Sequence, residues 1–176
     1  MKLTPVMQKY ILHWGEMGTR WGVNRTVAQI HALLYLSPEP LHAEEIAETL
    51  SVARSNVSTS IKELQSWGLI TVSHVMGDRR DHFESQKDLW ETFNTIIEER
   101  KRREIDPTLT MLRACELEGH DDKETPEEIK QRINDVLEFM ETISTWYEQM
   151  RKVPKPTLIK LFKLGSKVTG FLGNKS

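Results

Sequence analysis

The sequence predicts a mainly helical protein that carries one small β-hairpin. Three observations lead there. Apolar residues recur at helical spacing along most of the chain, a single β-branched run interrupts them at 69–75, and a charged turn with a glycine follows that run. The 176 residues suffice for one domain, or one domain with an appendage. Charged residues at 28% and apolar residues at 38% fit a folded, charge-rich chain. The 9 Gly and 7 Pro are dispersed, which excludes collagen-like and low-complexity chains. One cysteine excludes a disulfide framework and a cysteine-cluster zinc site, and fits a reducing compartment. The opening Met1-Lys2-Leu3-Thr4-Pro5 has no apolar leader, and no run approaches the ~20 apolar residues of a membrane span. A cytoplasmic protein without stable membrane insertion is expected.

The elements follow in order. Val6, Tyr10, Trp14, Met17 and Trp21 form one helical stripe, although Gly15, Gly18 and Gly22 would weaken that helix in isolation. A second helix is expected from Asn24 to Leu36, with Val27, Ile30, Leu33 and Leu34 inward, ending at Ser37-Pro38-Glu39-Pro40. Two short helices, 44–50 and 54–67, flank the tight link Ser51-Val52-Ala53. The second turns Val57, Ile61 and Leu64 inward and stops at Gly68. Leu69 to Val75 reads as a strand, Gly77-Asp78-Arg79-Arg80-Asp81 as a turn, and His82-Phe83-Glu84 as the returning strand. Two short helices, a turn and a hairpin with a charged tip make a winged helix-turn-helix.

The remainder is helical. Ser85, with Asp88 three residues on, resembles a capping box ahead of Leu89, Trp90, Phe93, Ile96 and Ile97, which are expected inward. Pro107 must break or kink that helix. Residues 118–123 read as a loop, and Thr125-Pro126-Glu127-Glu128 as the next helix start. From there Ile129, Ile133, Val136, Met140, Ile143, Tyr147 and Met150 alternate spacings of four and three, a heptad seam that pairs with another helix. That partner is either a second subunit or the chain's own long helices.

The net charge of −2 conceals an asymmetry. Residues 119–150 hold 3 Lys/Arg against 9 Asp/Glu, whereas 151–176 hold 7 Lys/Arg and no acid. Lys160, Lys163 and Lys167 lie opposite Leu158, Leu161, Phe162 and Val168, so the tail is basic and amphipathic. Three regions result: helices and winged helix-turn-helix over 1–86, a helical dimerisation region over 87–153, and the tail over 154–176. The tail either meets an anionic partner or packs on the acidic helix of its own or a neighbouring subunit.

A DNA-reading helix needs small polar and basic side chains on its outer face. With Val57, Ile61 and Leu64 inward, Arg54, Ser55, Asn56, Ser58, Thr59 and Lys62 remain outside, joined by Arg79 and Arg80 at the hairpin tip. Ser, Asn and Thr are poor choices inside a helix, so four of them on one short helix point to contact with double-stranded DNA. The six histidines are scattered, His120-Asp121-Asp122 reads as a solvated loop, and Cys115 stands alone. No Ser/His/Asp set, phosphate-binding glycine loop or paired carboxylates stands at useful spacing. No enzyme activity, metal or cofactor is expected.

Here the chain resembles the MarR-type winged-helix regulators, and within them the branch that controls glycine betaine synthesis. The carrying residues are Trp14-Gly15-Glu16-Met17-Gly18, Trp21-Gly22-Val23-Asn24-Arg25, Glu44-Glu45-Ile46-Ala47-Glu48, Arg54-Ser55-Asn56-Val57-Ser58, Glu63-Leu64, Trp67-Gly68-Leu69-Ile70 and Gly77-Asp78-Arg79-Arg80-Asp81-His82-Phe83. The resemblance covers roughly 5–115. It implies a homodimeric, non-enzymatic transcription factor on a pseudo-palindromic operator, a repressor relieved by a small molecule. It also allows Trp14, Trp21, Trp90 and Phe93 to cage a quaternary ammonium effector. Ser51 stands where the turn usually has Gly, a cost of about 1 kcal/mol if its backbone is left-handed. His42 and Ala53 replace the usual Thr or Ser caps, each an expected loss of about 1 kcal/mol. The rival reading, from another class, is a winged-helix interaction module whose acidic helix binds a basic partner.

Overall fold

The computed structural model of the chain describes residues 1–160 and 164, so most of the basic tail, Lys163 and Lys167 included, lies outside the described residues. Two compact units divide between Arg100 and Lys101.

The first unit contains α1 (Pro5–Arg20), α2 (Arg25–Leu36), β1 (Leu41–His42), α3 (Ala43–Leu50), α4 (Arg54–Ser66), β2 (Ile70–Ser73), β3 (His82–Ser85) and α5 (Leu89–Arg100). The strands form one antiparallel sheet in the order β1-β3-β2, pairing Leu41 with Phe83, His42 with His82, and Val72 with Phe83. Strand β1 is too short to leave an alternating pattern in the sequence. The core centres on α2, whose Ile30, Leu33 and Leu34 are wholly buried against Ile46, Val57, Ile61, Leu64, Ile70 and Phe83. Asn24 caps α2 by accepting from the Thr26 amide at 2.8 Å.

The first helix faces inward differently from its expected stripe. Val6, Tyr10 and Trp21 are exposed, and the buried positions are Ile11, Gly15 and Gly18. Sterics explain this: a Cβ placed on Gly18 would stand 2.5 Å from the Ala28 Cβ of α2. The glycines let two backbones approach where an aromatic ring has no room. Trp14 still packs, half-buried, against the core edge.

The helix-turn-helix forms as expected, with one correction. Ser51 does adopt the left-handed backbone, φ 55°, and Ala53 supplies no side-chain cap. His42 does supply one: its Nδ1 accepts from the Glu45 amide at 3.3 Å while Glu45 accepts from the His42 amide at 3.2 Å. An imidazole nitrogen thus replaces the usual hydroxyl in a capping box.

Helix α5 also departs from expectation. Leu89 and Phe93 are exposed, Thr92 is buried, and Ile96 packs on the core. Ser85 is a buried residue of β3 rather than a cap, and Asp88 caps instead, accepting from the Trp90 and Glu91 amides at 2.8 and 3.3 Å. Just before it, the Lys87 ammonium donates to the carbonyls of Leu34, Tyr35 and Ser37 at 2.7, 3.1 and 2.7 Å. It thereby closes the carboxyl end of α2.

The second unit begins with a π-helical turn, Lys101–Ile105, followed by α6 (Asp106–Asp121) with Pro107 in its first turn. The loop expected from residue 118 begins only after Asp121, and α7 (Glu127–Arg151) is capped by Pro126 without a side-chain bond from Thr125. Asp122 instead orders that loop, accepting from the Glu124 and Thr125 amides at 2.8 and 3.3 Å. Leu137 is buried against Leu109 and Leu112, with Ile105, Ile133 and Met140 around them. An Arg113–Glu141 ion pair at 2.8 Å ties α6 to α7. No helix among the described residues is long and apolar enough to cross a membrane.

Two outcomes follow from the packing of α2. Gly18→Ala gains helix propensity of about 1 kcal/mol but forces α1 from α2, and overpacking of this kind costs about 1–3 kcal/mol. Urea unfolding should show net destabilisation, and Ala28→Gly should restore it; a stabilised Gly18→Ala chain would mean the helices separate freely. His31, buried in α2 with its Nε2 unpartnered among the described residues, is held down to about 4 by burial and by the Lys87 charge. An unfolded imidazole binds its proton near 6.5, so the unfolded chain takes up protons first as pH falls. Stability from this group is complete above about pH 6.5 and declines towards pH 4, by about 3 kcal/mol at most. His31→Leu should flatten the difference between urea midpoints at pH 7 and pH 4.5; an unchanged difference would exclude His31 as its source.

Candidate nucleic-acid interface

Helix α4 turns Val57, Ser60, Ile61 and Leu64 into the core. Its outer face carries Arg54, Ser55, Asn56, Thr59 and Lys62, all exposed, with Ser58 half-buried beside them. The structure therefore brings all six residues expected on α4 to one surface. Thr59 bonds back to the Ser55 carbonyl at 3.2 Å, which satisfies its hydroxyl within the helix. Asn56 and Lys62 have no hydrogen-bond or ion-pair partner among the described residues.

The hairpin β2–β3 forms the wing. Gly77 takes φ 85° at its tip, a conformation that a side chain would strain. Asp78 accepts from the Arg80 amide at 3.0 Å and from its Nε at 2.9 Å, and it also engages Arg80 Nη2. The Arg80 guanidinium holds the Asp78 carboxyl well below the usual carboxylate range. Arg79 is exposed and has no such partner among the described residues.

Arg54 is likewise held. Its Nε donates to Glu44 Oε1 at 2.8 Å and its Nη1 to the Ser58 hydroxyl. That hydrogen bond lowers the exposed Glu44 carboxyl to about 2. Ten residues separate this pair along the chain, so no local pattern marks it. Sequence reasoning missed Glu44 for that reason. Of the four basic side chains on this face, two are matched by carboxylates of their own unit, and Lys62 and Arg79 are left to meet an anion.

Behind the face lie two buried rings. His42 and His82 sit opposite each other in the β1–β3 register, with centroids 5.5 Å apart and planes at 88°. His42 Nδ1 stands 3.0 Å from Glu44 Oε2, His82 Nδ1 stands 3.0 Å from the Arg80 carbonyl, and His82 Nε2 stands 3.6 Å from Asp78 Oδ2.

The other expected residues fall elsewhere. Trp14 and Trp21 meet edge to face at 6.4 Å, and Trp90 and Phe93 meet tilted at 6.1 Å, as two aromatic pairs. Along α7, Ile133 and Met140 turn towards Leu137 of their own unit and Tyr147 is half-buried. Ile129, Val136 and Ile143 are exposed, and so are Phe139 and Trp146, which a strict heptad count leaves out.

Two short helices joined by a tight turn, with a charged hairpin beside the second, define a winged helix-turn-helix protein. Residues 21–81, which run from the end of α1 to the turn before β3, match the model of the MarR family. Among curated proteins, the chain is similar to the HTH-type transcriptional repressor GbsR of Bacillus subtilis (strain 168). The two are 20% identical over 136 residues, which is 76% of this chain and 75% of that one. Among solved structures, a crystal structure of a transcriptional regulator superposes with a TM-score of 0.61 at 18% identity, over 82% of this chain and 95% of that one. At that identity the likeness is one of fold. The family and these relatives are regulators of transcription, not enzymes.

Proposed function

We propose that this chain is a MarR-type transcriptional regulator: a cytoplasmic, homodimeric repressor that binds a pseudo-palindromic DNA operator and responds to a small molecule. The outer face of α4 carries the reading, because small polar side chains stand there beside an exposed wing. Helix α4 would enter a major groove, and Arg79 would meet the adjacent backbone or a narrow minor groove. Two-fold symmetry would repeat this at a second half-site. The exposed Ile129, Val136, Phe139, Ile143 and Trp146 support a second copy as the partner of α7, since a row of this kind is costly in water. The pairs Trp14–Trp21 and Trp90–Phe93 offer ring faces for a quaternary ammonium effector. A gel shift on the chain's own upstream region tests the reading, with salt-sensitive saturable binding expected. Absence of binding would favour the interaction module with a basic partner.

The site geometry sharpens two outcomes. Asn56→Ala should cost about 1–3 kcal/mol on the best operator, with little change on random DNA and an unaltered salt slope. Arg79→Ala should weaken both kinds of DNA alike and reduce the salt slope by about one. Anisotropy titrations at several salt concentrations separate the two effects; the reverse pattern would mean that the wing reads sequence and the helix only holds phosphate. For assembly, Val136→Asp with Ile143→Asp would bury unpaired charges at a cost of about 3–5 kcal/mol. Sedimentation should then find monomer, with operator affinity falling as the half-sites lose their tether. A double variant that remains dimeric would remove α7 from the subunit interface.

A further inference from the structure

We infer that the buried His42–His82 pair links the recognition helix to the wing, so that Arg54 and Arg80 are positioned as one unit. This rests on the DNA-binding reading above and names positioning residues behind that surface.

The link can be followed atom by atom. On α4, Ser58 and Arg54 are joined by a hydrogen bond, and Arg54 Nε reaches Glu44 Oε1 at 2.8 Å. The other Glu44 oxygen lies 3.0 Å from His42 Nδ1. The His42 ring meets the His82 ring edge to face at 5.5 Å. His82 Nδ1 lies 3.0 Å from the Arg80 carbonyl and its Nε2 3.6 Å from Asp78, whose carboxylate grips the Arg80 guanidinium. Every step is a polar or ring contact, and all lie within the first unit.

Exposed ion pairs are ordinarily loose, because two long side chains must be held in one geometry against water. These two are not isolated. Each carboxylate is within reach of a histidine whose side chain is at most 10% exposed, and the backbone pairing of β1 with β3 fixes the two rings against each other. Apolar residues would serve as well for packing at those two positions. Histidine adds nitrogens aimed outward, one set at the helix-turn-helix and the other at the wing. The charges also act across the gap, since Glu44 and Glu45 of α3 strengthen the hold on the Arg80 proton after Asp78 itself. His42 Nδ1 cannot both accept from the Glu45 amide and donate to Glu44, so the same atom chooses between capping α3 and steering Arg54.

A double-mutant cycle on operator affinity tests the link. Arg54→Ala and Arg80→Ala should depart from additivity by about threefold or more in the natural chain, which distant independent sites do not. The departure should vanish in a His82→Phe chain, which keeps a ring against His42 but loses the nitrogens that face the Arg80 carbonyl and Asp78. Lys62→Ala with Arg79→Ala, outside the link, should stay additive throughout. An additive Arg54/Arg80 cycle in the natural chain overturns the inference, and so does non-additivity that survives His82→Phe. A DNA-free readout separates this failure from that of the DNA-binding reading. Glu44→Gln should move the backbone amide resonances of wing residues 77–81, and should do so much less in a His42→Thr chain, where the α3 cap is kept. Wing resonances that ignore Glu44→Gln, or respond equally in His42→Thr, sink the link whether or not the chain binds DNA.

Discussion

Helix α2 cannot remain in water, and the first unit is arranged around that fact. Seven of its twelve residues are buried, among them Ile30, Leu33 and Leu34, and leaving such side chains exposed would cost about 1.5–3 kcal/mol each. Each neighbour contributes a surface shaped to cover it. Helix α1 offers glycines where contact is closest, α4 offers Val57, Ile61 and Leu64, and β3 offers Phe83. Lys87 covers the carbonyls that the end of α2 would otherwise leave open. The outward face of α4 is the remainder of this arrangement: its inner residues are committed to α2, so its polar residues are fixed outward. The outer face of α4 is held in place by a helix packed against its inner face.

The second unit solves the same problem less completely. One row of apolar residues on α7 is satisfied by α6 through Leu137, Leu109 and Leu112, while Val136 and Ile143 on the adjoining row remain in solvent. A helix with an apolar face wider than one neighbour can cover has a second place to be filled. The apolar face of α7 is thus divided between intrachain packing and an exposed row.

Much of this was legible in the sequence, and the failures have physical causes. Apart from the two-residue strand β1, the order of elements from 24 to 85 could be read because Val57, Ile61 and Leu64 keep helical spacing and Gly68 and Gly77 stand where the chain turns. The buried face of α1 is not legible from hydrophobic periodicity, because close approach of two backbones decides it. Gly18 is buried by what it lacks, and a periodicity of large residues cannot register that. The caps at His42, Ser85 and Thr125 depart from residue-type expectation for a related reason: any side chain with a lone pair in the right place can cap, so residue type alone does not decide. The outer residues of α4 were legible as a set. Their partners were not, since Glu44 meets Arg54, and His42 meets His82, only through the fold.

The carboxylates beside Arg54 and Arg80 bear on how such a protein would travel. A surface that binds random DNA does so by exchanging condensed counterions for its own free cations. Here two of the four basic groups on the face already hold anions supplied by their own chain. In a protein that bound DNA through this face, those internal pairs would shorten the stay on a duplex it does not recognise. Its path between genomic sites would be one of detachment and fresh collision rather than long one-dimensional glides, and the time saved on wrong sequence is time available at the right one.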